Sequence, residues 1–402
     1  MRTKQSRLRL GVIFGGVSTE HEISIMTGLQ LIDTIDTQRF EVVPIYISMS
    51  GAWYTGAELF QLSYFKGLPG VLSRAREIAL LPNPQGPKLV FVDRSRADKG
   101  MYRLEESESL NVDIVFLALH GTHGEDGAIQ GLLKMAKIPF VGSGIRSSAI
   151  TMNKYVSKVV AAANGIPTLP SVIAKKADFI KNFKEAYQDI LSQDLTFPVI
   201  VKPCNLGSSV GLNFADTEAQ LKQALVAVFK VDEQAIIEPR VVDLTEINVS
   251  VIGRTNPRAS VIEVPLSGKE LLTYEKKYMA GSGSKKGSKT RAGGMANLQR
   301  EVNSTRIPET LKEEARDLAV RLFTCLDCAG LVRIDFIYDN QKEALYFNEL
   351  NSIPGSFAYY LWVQSSPRYL LTELVNLLVD EALEEFGMQE TLAQTQPFRA
   401  LR

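Results

Sequence analysis

The 402-residue chain is poor in the side chains on which several common architectures depend. Three cysteines and three histidines are too few for a disulfide-stabilised secreted scaffold and favour no zinc centre. Lysine plus arginine equals aspartate plus glutamate at 45 each, so the chain lacks the basic excess typical of nucleic-acid and membrane-surface binders. No apolar run approaches the roughly 18 residues of a membrane-spanning helix, and the N-terminus lacks the pattern of a signal peptide. We therefore expect a cytoplasmic protein that binds neither nucleic acid nor membrane.

The cysteines offer one further pattern, a C-x-x-C formed by Cys325 and Cys328 at the end of an amphipathic helical stretch. No second cysteine pair exists, and all three histidines lie far upstream. We therefore interpret the two thiols as small buried core residues rather than metal ligands.

What the chain has instead is a regular succession of strand and helix patterns. From Leu8 to about Gly144, short apolar runs alternate with helical stretches, which predicts a parallel sheet with helices packed on it. The segment 51–110 is less regular, and we interpret it as an insertion. Strands and helices recur in two later units, so we predict an α/β fold of three domains at 1–150, 151–243 and 244–402.

Two loops that follow apolar strands contain unusual polar side chains. GGVSTEHEIS places Glu20 beside a helix start, where it could bind an ammonium group while free backbone N–H groups attract an anion. LALHGTHGEDGAIQG ends a strand at His120 and continues through three glycines. Loops at the carboxyl ends of strands bind ligands in α/β folds. The alternative is a capped helix with solvated acids and structural histidines.

A third segment, FPVIVKPCNLGSSVG, ends an apolar strand on Lys202 and enters a loop of glycine and serine. Small residues there let backbone N–H groups approach phosphate oxygens, and the serine hydroxyls add donors. The spacing excludes a P-loop, G-x-x-x-x-G-K-[ST], but it favours a nucleotide-phosphate site. The segment from Lys276 to Arg291 contains six basic residues and no acid, which predicts either a basic flap over such a site or a solvated surface loop.

The strongest signal is LVRIDFIYDNQKEALYFNELN, in which two strand patterns flank a polar turn. Arg333 and Asp335 share one face of the first strand, and Glu349 and Asn351 share a face of the second. Pairing the strands would join two carboxylates and an amide, a set of hard oxygen donors suited to Mg²⁺ with phosphate. Arg333 beside them could stabilise charge on a transferring group. Charged side chains among apolar neighbours are seldom buried unless paired or metal-bound.

These motifs, in this order and approximate spacing, resemble the D-alanine-D-alanine ligases of the ATP-grasp superfamily. The resemblance spans Gly11 to about Trp362 and is carried by GVIFGGVSTEHEIS, ALHGTHGEDGAIQGLL, IPFVGSG, FPVIVKP with GSSVG, YEKKY, RIDF and NELNSIPGS. It implies a three-domain ATP-grasp architecture with ATP held between the central and C-terminal domains. It also implies a cytoplasmic homodimer in peptidoglycan synthesis that uses ATP, D-alanine and two Mg²⁺ ions, with Mn²⁺ as a substitute.

The resemblance further implies roles for individual residues. For ATP they are Lys154, Lys202, Ser209 and Lys277, with Glu238 and Val241 at the adenine and Glu246 at the ribose. For Mg²⁺ they are Asp335, Glu349 and Asn351. The implied catalytic groups are Glu20, Ser208, Tyr278, Arg333 and Gly355, and the implied substrate-binding residues are His120, Ser356, Tyr360 and Leu361.

In the implied reaction, the carboxylate of the first D-alanine takes the γ-phosphate of ATP, and the amine of the second attacks the resulting acyl phosphate. One departure concerns the second substrate. Tyr360 stands where many members of the family have a serine near that substrate's carboxylate, so either Ser356 substitutes or the pocket is built differently. D-serine or D-lactate therefore stay open as second substrates, although Tyr278 argues against D-lactate. A non-catalytic nucleotide-binding homologue is the remaining alternative.

Overall fold

A computed structural model describes residues 7–70, 72–86, 88–98, 101–193, 195–207, 210–266 and 300–394. Within these ranges the chain forms three β-sheets from three successive stretches of sequence, with helices packed against them. The predicted α/β fold is confirmed. Each predicted domain contains one of the sheets, while the boundaries at 150 and 243 stay predictions.

The first sheet has the strand order β6-β5-β4-β3-β2-β1-β7-β8. Its strands are β1 (Leu8–Gly15), β2 (Phe40–Ile47), β3 (Trp53–Thr55), β4 (Arg76–Leu80), β5 (Leu89–Asp98), β6 (Met101–Leu110), β7 (Ile114–Leu117) and β8 (Phe140–Val141). Four of them, β2, β1, β7 and β8, pair in parallel as predicted. The segment 51–110, interpreted as an insertion, supplies β3 to β6, which extend the sheet in antiparallel fashion. The helices of this unit are α1 (His21–Thr34), α2 (Leu62–Phe65), α3 (Ala128–Met135) and α4 (Ile145–Met152).

The second sheet is antiparallel, with the order β11-β10-β12-β9. Its unit comprises α5 (Lys154–Ala163), β9 (Val172–Lys175), α6 (Lys176–Lys181), α7 (Phe183–Leu191), β10 (Val199–Pro203), β11 (Asn213–Ala215), α8 (Glu218–Val228) and β12 (Gln234–Pro239). Asn153 begins α5, and its side chain accepts a hydrogen bond from Val156 N at 3.0 Å. This capping orients α5, from which two lysines project toward the site.

The third sheet is antiparallel, with the order β15-β14-β13-β16-β17. Its elements are β13 (Leu244–Gly253), β14 (Arg258–Pro265), β15 (Arg300–Val302), α9 (Glu309–Cys325), β16 (Gly330–Asp339), β17 (Ala344–Asn351), α10 (Tyr359–Trp362) and α11 (Leu371–Gln394). Because side chains alternate along a strand, Ile247, Val249 and Ile334 pack on α9, while the residues between them form a polar face. That polar face positions the site.

The last helix returns to the first sheet. Leu374, Val375 and Leu378 of α11 are buried in the same hydrophobic cluster as β1 and β7. Thr372 Oγ1 also donates to Thr34 O at 2.7 Å. The C-terminal helix therefore stabilises the N-terminal unit, which the division of the sequence into three blocks did not anticipate.

The predicted place of the C-x-x-C is confirmed at the end of α9, where both thiols are free. The predicted burial is confirmed for Cys328, and burial raises its pKa to about 12. For Cys325 the prediction is wrong, because this residue is half-buried and packs at the edge of the core. Within the described ranges, no helix combines the length and apolar character that crossing a bilayer requires.

Candidate active site

A cleft lies between the second and third sheets. Basic groups enter it from α5 and β10, and acidic groups enter it from β13, β16 and β17. Its polar lining consists of Lys154, Lys202, Glu246, Asp335, Asn348 and Glu349. Lysines facing carboxylates across a cleft are suited to hold a polyphosphate together with a divalent cation.

The predicted metal ligands are brought together on the third sheet. Asp335 of β16 lies opposite Glu349 of β17, and Asn351 lies opposite Arg333. Asn351 Nδ2 donates to Asp335 Oδ2 at 3.1 Å. The two carboxylates and the amide share one face and offer hard oxygen donors, a chemistry that fits Mg²⁺. No cluster of three or more His, Cys, Asp or Glu side chains with metal-binding geometry occurs in the described ranges, so an ion here would also need phosphate or water oxygens.

Arg333 forms an ion pair with Asp335, the central one of the three predicted metal ligands. Its Nε and Nη2 each lie 2.7 Å from an oxygen of Asp335. Burial would lower the pKa of the guanidinium, but the charge and hydrogen bonds of Asp335 outweigh it, and the pKa stands well above the ordinary value. Arg333 is therefore a fixed positive charge in the interior of the site.

Across the cleft, the two predicted phosphate-binding lysines contact residues of both sheets. Lys154 Nζ donates to Leu206 O at 2.6 Å and lies 3.3 Å from Glu349 Oε2. Lys202 Nζ donates to Glu238 Oε2 at 2.9 Å and to Asn348 Oδ1 at 3.1 Å. Both ammonium groups are thus held at the mouth between the second and third sheets.

Glu238 has a second lysine partner that the sequence analysis missed. Lys158 pairs with Glu238 Oε1, and the two side chains are only 2% and 1% exposed. Burial opposes ionisation of Glu238, but Lys158 and Lys202 prevail and lower its pKa to about 2. Lys158 lies four residues after Lys154, on the same face of α5, and this spacing was the available signal.

The N-terminal loops meet the central unit at Glu20. A Cβ atom added at Gly121 would lie 2.9 Å from Glu20 Oε2, and one added at Gly207 would lie 2.8 Å from the same oxygen. Gly121 also has φ +73°, a left-handed conformation that favours glycine. The backbone of two predicted ligand loops, one at Gly121 and one at Gly207, therefore encloses the buried Glu20 carboxylate.

The histidines differ in their surroundings. His120 is buried near Glu20, and its Nε2 lies 2.9 Å from Thr27 Oγ1 of α1. Burial lowers the pKa of His120, while the charge of Glu20 partly opposes the shift. His21 contacts Gly16 O and the Tyr46 hydroxyl in the core of the first unit, so its role is structural.

Glu125 is a second residue that the sequence analysis missed. Its Oε1 accepts hydrogen bonds from Ile353 N at 2.8 Å and Ser352 Oγ at 3.3 Å, and its Oε2 accepts one from Gly121 N at 2.9 Å. Burial, followed by the charge of Glu20, raises its pKa to about 7. Glu125 thereby connects the loop that encloses Glu20 with the segment that follows β17.

That segment has an unusual backbone. After Gly355, three residues in succession, Ser356, Phe357 and Ala358, have φ between +44° and +51°. For residues other than glycine, this conformation costs roughly 1–2 kcal/mol each. Burial of Phe357 against Phe116, with ring centroids 5.1 Å apart, offsets part of the cost. Strain of this kind is concentrated at ligand sites.

Of the remaining predicted substrate residues, Ser356 is buried and the Leu361 side chain is fully buried. The Tyr360 hydroxyl donates to Glu263 at 2.8 Å. Val241 lies in the connection between β12 and β13, and Glu246 lines the cleft from β13. The predicted residues Ser208, Ser209, Lys277 and Tyr278, with the predicted basic flap, lie outside the described residues.

Lysines of the second unit, on α5 and β10, face carboxylates of the third sheet, and the N-terminal α/β unit closes one side of the site. This arrangement defines an ATP-grasp type of ligase. Comparison with known sequences narrows the class. The family model described as D-ala D-ala ligase N-terminus matches residues 9–143, and the model described as D-ala D-ala ligase C-terminus matches residues 160–379. The chain belongs to the D-alanine-D-alanine ligase family.

Similar proteins cover nearly the whole chain. A D-alanine–D-alanine ligase of Geobacillus thermodenitrificans is 33% identical over 97% of this chain and 99% of its own length. That of Caldicellulosiruptor bescii is 31% identical over 96% and 98%. Among solved structures, the D-alanine-D-alanine ligase from Coxiella burnetii has a TM-score of 0.75 at 26% identity and covers 96% of this chain and 97% of that one. The VanG D-Ala:D-Ser ligase from Enterococcus faecalis, with a TM-score of 0.73 at 24% identity over 94% and 100%, shares the fold.

Proposed function

We propose that this protein joins two D-alanine molecules to D-alanyl-D-alanine at the expense of ATP, giving ADP and phosphate, for peptidoglycan precursor synthesis. The observation that carries the proposal is the pairing of Asp335 with Glu349 opposite the ammonium groups of Lys154 and Lys202. Assembly as a homodimer belongs to the proposal and rests on the family resemblance alone.

The nucleotide would lie in the cleft between the second and third sheets. Lys154 and Lys202 are held in place by Glu349, Glu238 and Asn348, so they are oriented before phosphate arrives. Electrostatic groups that are fixed in advance stabilise developing charge without reorganising. Glu246 lines the cleft from β13, Glu238 lies near the end of β12, and Val241 lies in the connection between these strands. These three residues form the proposed adenosine side, and Ser209 and Lys277 are assigned to the ATP site by resemblance.

Asp335, Glu349 and Asn351 would hold Mg²⁺, with two ions proposed and Mn²⁺ able to replace them because it also prefers oxygen ligands. Bound Mg²⁺ offsets negative charge on the transferring phosphate. The protein's own contribution is to keep the two carboxylates in register on adjacent strands.

In the proposed reaction, Glu20 binds the ammonium of the first D-alanine, and His120 lies behind it. A carboxylate oxygen of that substrate forms a bond to the γ-phosphorus while the bond to ADP breaks, and an acyl phosphate results. The neutral amine of the second D-alanine then forms the C–N bond, the C–O bond to phosphate breaks with its electron pair, and the departing phosphate takes up the proton that the amine loses. Arg333 and the backbone N–H of Gly355 would stabilise the oxyanion of the tetrahedral intermediate, which exists after the C–N bond has formed and before the C–O bond breaks. Ser208 and Tyr278 are assigned to the substrate side by resemblance.

A different second substrate is the alternative that one observation favours. Because the Tyr360 hydroxyl donates to Glu263, it does not serve the second substrate in the way that a serine at this position would. D-serine therefore remains an alternative acceptor, whereas D-lactate and a non-catalytic homologue have no supporting observation.

The test is ADP release with Mg-ATP over a panel of D- and L-amino acids, with the product identified by mass. We expect release that depends on D-alanine and a product of the mass of D-alanyl-D-alanine. Absence of D-alanine-dependent release would reject the proposal, and a mixed product with D-serine would favour the alternative acceptor.

A further inference from the structure

The polar face of the third sheet extends beyond the proposed metal ligands. Glu263 of β14, Asn248 of β13, Asp335 of β16 and Glu349 of β17 lie opposite one another in successive strands. Paired residues share a face, and neighbouring strands are about 4.8 Å apart, so Glu263 lies roughly 10 Å from Asp335 along this row. The face therefore has a metal side at Asp335 and Glu349 and a second side at Glu263.

Glu263 is the centre of that second side. It is buried, and it accepts hydrogen bonds from the Tyr360 hydroxyl at 2.8 Å and from Asn248 Nδ2 at 3.3 Å. Arg300 Nη1 lies 3.3 Å from its other oxygen. The hydroxyl of Tyr360 is engaged by Glu263. Arg300 is therefore better suited than Tyr360 to bind an anionic group of the substrate.

Arg300 is held in a defined orientation. Its guanidinium carbon lies 4.2 Å from the centroid of the Tyr360 ring, and its side chain is 14% exposed. A guanidinium carries five N–H donors in a rigid plane and matches a carboxylate by two parallel hydrogen bonds. The Tyr360 ring and Glu263 together fix that plane, so the donors of Arg300 are oriented rather than mobile.

Asn248 supports the location of a polar ligand between the two arginines. Its Oδ1 is buried and accepts no hydrogen bond within the described part of the chain. Leaving such an atom unsatisfied costs roughly 1–3 kcal/mol. The atom lies in the row between Glu263 and Asp335, where a ligand N–H group would satisfy it.

We propose that Arg300 binds the carboxylate of the second D-amino acid, and that Tyr360 and Glu263 position Arg300 for this purpose. The inference rests on the proposed function. The order of groups across the sheet, Arg300, then Asn248, then Arg333, matches the order of the acceptor's carboxylate, the acceptor's amine and the carbonyl carbon of the donor's acyl phosphate that this amine attacks. The acceptor is accordingly an amino acid with a free α-carboxylate, which the planar guanidinium would bind through two parallel hydrogen bonds.

The test compares two acceptors, D-alanine and D-alaninamide, with D-alanine as the donor throughout. D-alaninamide has no carboxylate and cannot act as the donor, so its product reports the acceptor position alone. We expect Arg300→Met to lower kcat/KM for D-alanine as the acceptor by about 10–100-fold, the loss typical of a hydrogen-bonded charge, and to leave D-alaninamide within about twofold. Arg300→Lys keeps the charge but loses the planar fork, so its kcat/KM for D-alanine as the acceptor should lie between those of the wild type and Arg300→Met.

Arg306→Met is the matched control, because Arg306 is 62% exposed and pairs with Glu301 in the same segment. Equal losses with both acceptors, or unchanged discrimination in Arg300→Met, would overturn the inference. If Ser356→Ala abolishes the discrimination instead, Ser356 is the anchor and the inference is equally overturned. Capture of the acyl phosphate by hydroxylamine at the wild-type rate would show that Arg300→Met is folded and competent in the first half-reaction. Absence of D-alanine-dependent ADP release by the wild type would reject the proposed function itself, and the inference with it.

Discussion

Arg333 binds both carboxylate oxygens of Asp335 at 2.7 Å, although the two residues are only two positions apart on β16. Side chains at this spacing share a face of the strand, so the ion pair forms within one element. Asp335 is also the central member of the proposed metal site, opposite Glu349. The guanidinium and a divalent cation therefore share one carboxylate, and their effects on catalysis can be separated.

Replacing Arg333 with methionine should lower kcat by about 10²–10³-fold, the loss typical of removing one group that stabilises an oxyanion. The Mg²⁺ concentration for half-maximal activity should stay equal or fall, because Asp335 then no longer shares its charge with the guanidinium. ADP release measured over a Mg²⁺ titration gives both values. The contrasting variant is Asp335→Asn with Glu349→Gln, for which the half-maximal Mg²⁺ concentration should rise by more than about tenfold. Full activity of that double variant at low Mg²⁺ would contradict the metal assignment.

The site contacts that could be predicted from the sequence join residues that are close together along the chain. Arg333, Asp335, Glu349 and Asn351 lie on two strands joined by a short turn, so alternation and pairing suffice to bring them together. The residues that were missed depend on contacts between distant parts of the chain. Lys158 and Glu238 are 80 residues apart, Tyr360 and Glu263 are 97 apart, and Glu125 and Ile353 are 228 apart. Which buried acid meets which donor is decided by how the three sheets pack, and no periodicity in one segment contains that information.

Lys158→Met should destabilise the protein by about 3 kcal/mol, because removing one partner leaves a buried carboxylate with incomplete compensation. Lys202 still holds Glu238, which keeps the effect at the lower end of the range for buried pairs. The control is Lys176→Met, since Lys176 pairs with Glu233 at 2.9 Å on the surface and should contribute less than about 1 kcal/mol. Urea midpoints of the two variants provide the comparison. Equal midpoints would show that the buried pair contributes no more to the free energy of unfolding than the surface pair does.

The same pair predicts a response to acid. The pKa of Glu238 is lowered to about 2 in the folded protein from an ordinary value of 4.5, so its stabilising contribution is complete above pH 4.5. That contribution is lost progressively as the pH falls from 4.5 toward 2. Lys158→Met removes one of the two charges that lower this pKa, and the variant should therefore lose stability at a higher pH than the wild type. Acid titrations followed by circular dichroism measure the shift.

Gly207→Ala should weaken binding of the first D-alanine. The added methyl carbon would lie 2.8 Å from Glu20 Oε2, closer than such contacts occur, so the carboxylate must move away from its present position. Displacement of a substrate-positioning group by about 1 Å can cost up to about 100-fold. We expect the KM for D-alanine to rise at least about tenfold, while the KM for ATP changes less than about twofold. Gly144→Ala is the control, because a Cβ there would meet no atom within 4 Å. An unchanged KM for D-alanine in Gly207→Ala would place the substrate ammonium elsewhere.

Glu125 predicts a pH dependence of the opposite sign to that of Glu238. Its pKa is raised to about 7 from an ordinary value of 4.5, chiefly by burial and then by the charge of Glu20. Between pH 4.5 and 7 the folded protein therefore binds more protons at this site than the unfolded chain, and its stability falls as the pH rises through that window.

Glu125→Gln removes this titration while it keeps the shape of the side chain. The amide retains one acceptor oxygen, so one of the two backbone donors, Ile353 N or Gly121 N, loses its partner, and the variant should be less stable than the wild type at pH 5. The difference should shrink as the pH rises to 8, because only the wild type then has to ionise a buried carboxyl. Melting temperatures from pH 5 to 8 test this. Ser352→Ala keeps the carboxyl and removes one of its donors, so it should preserve the wild-type slope. A constant offset between Glu125→Gln and the wild type across this range would show that Glu125 does not titrate there.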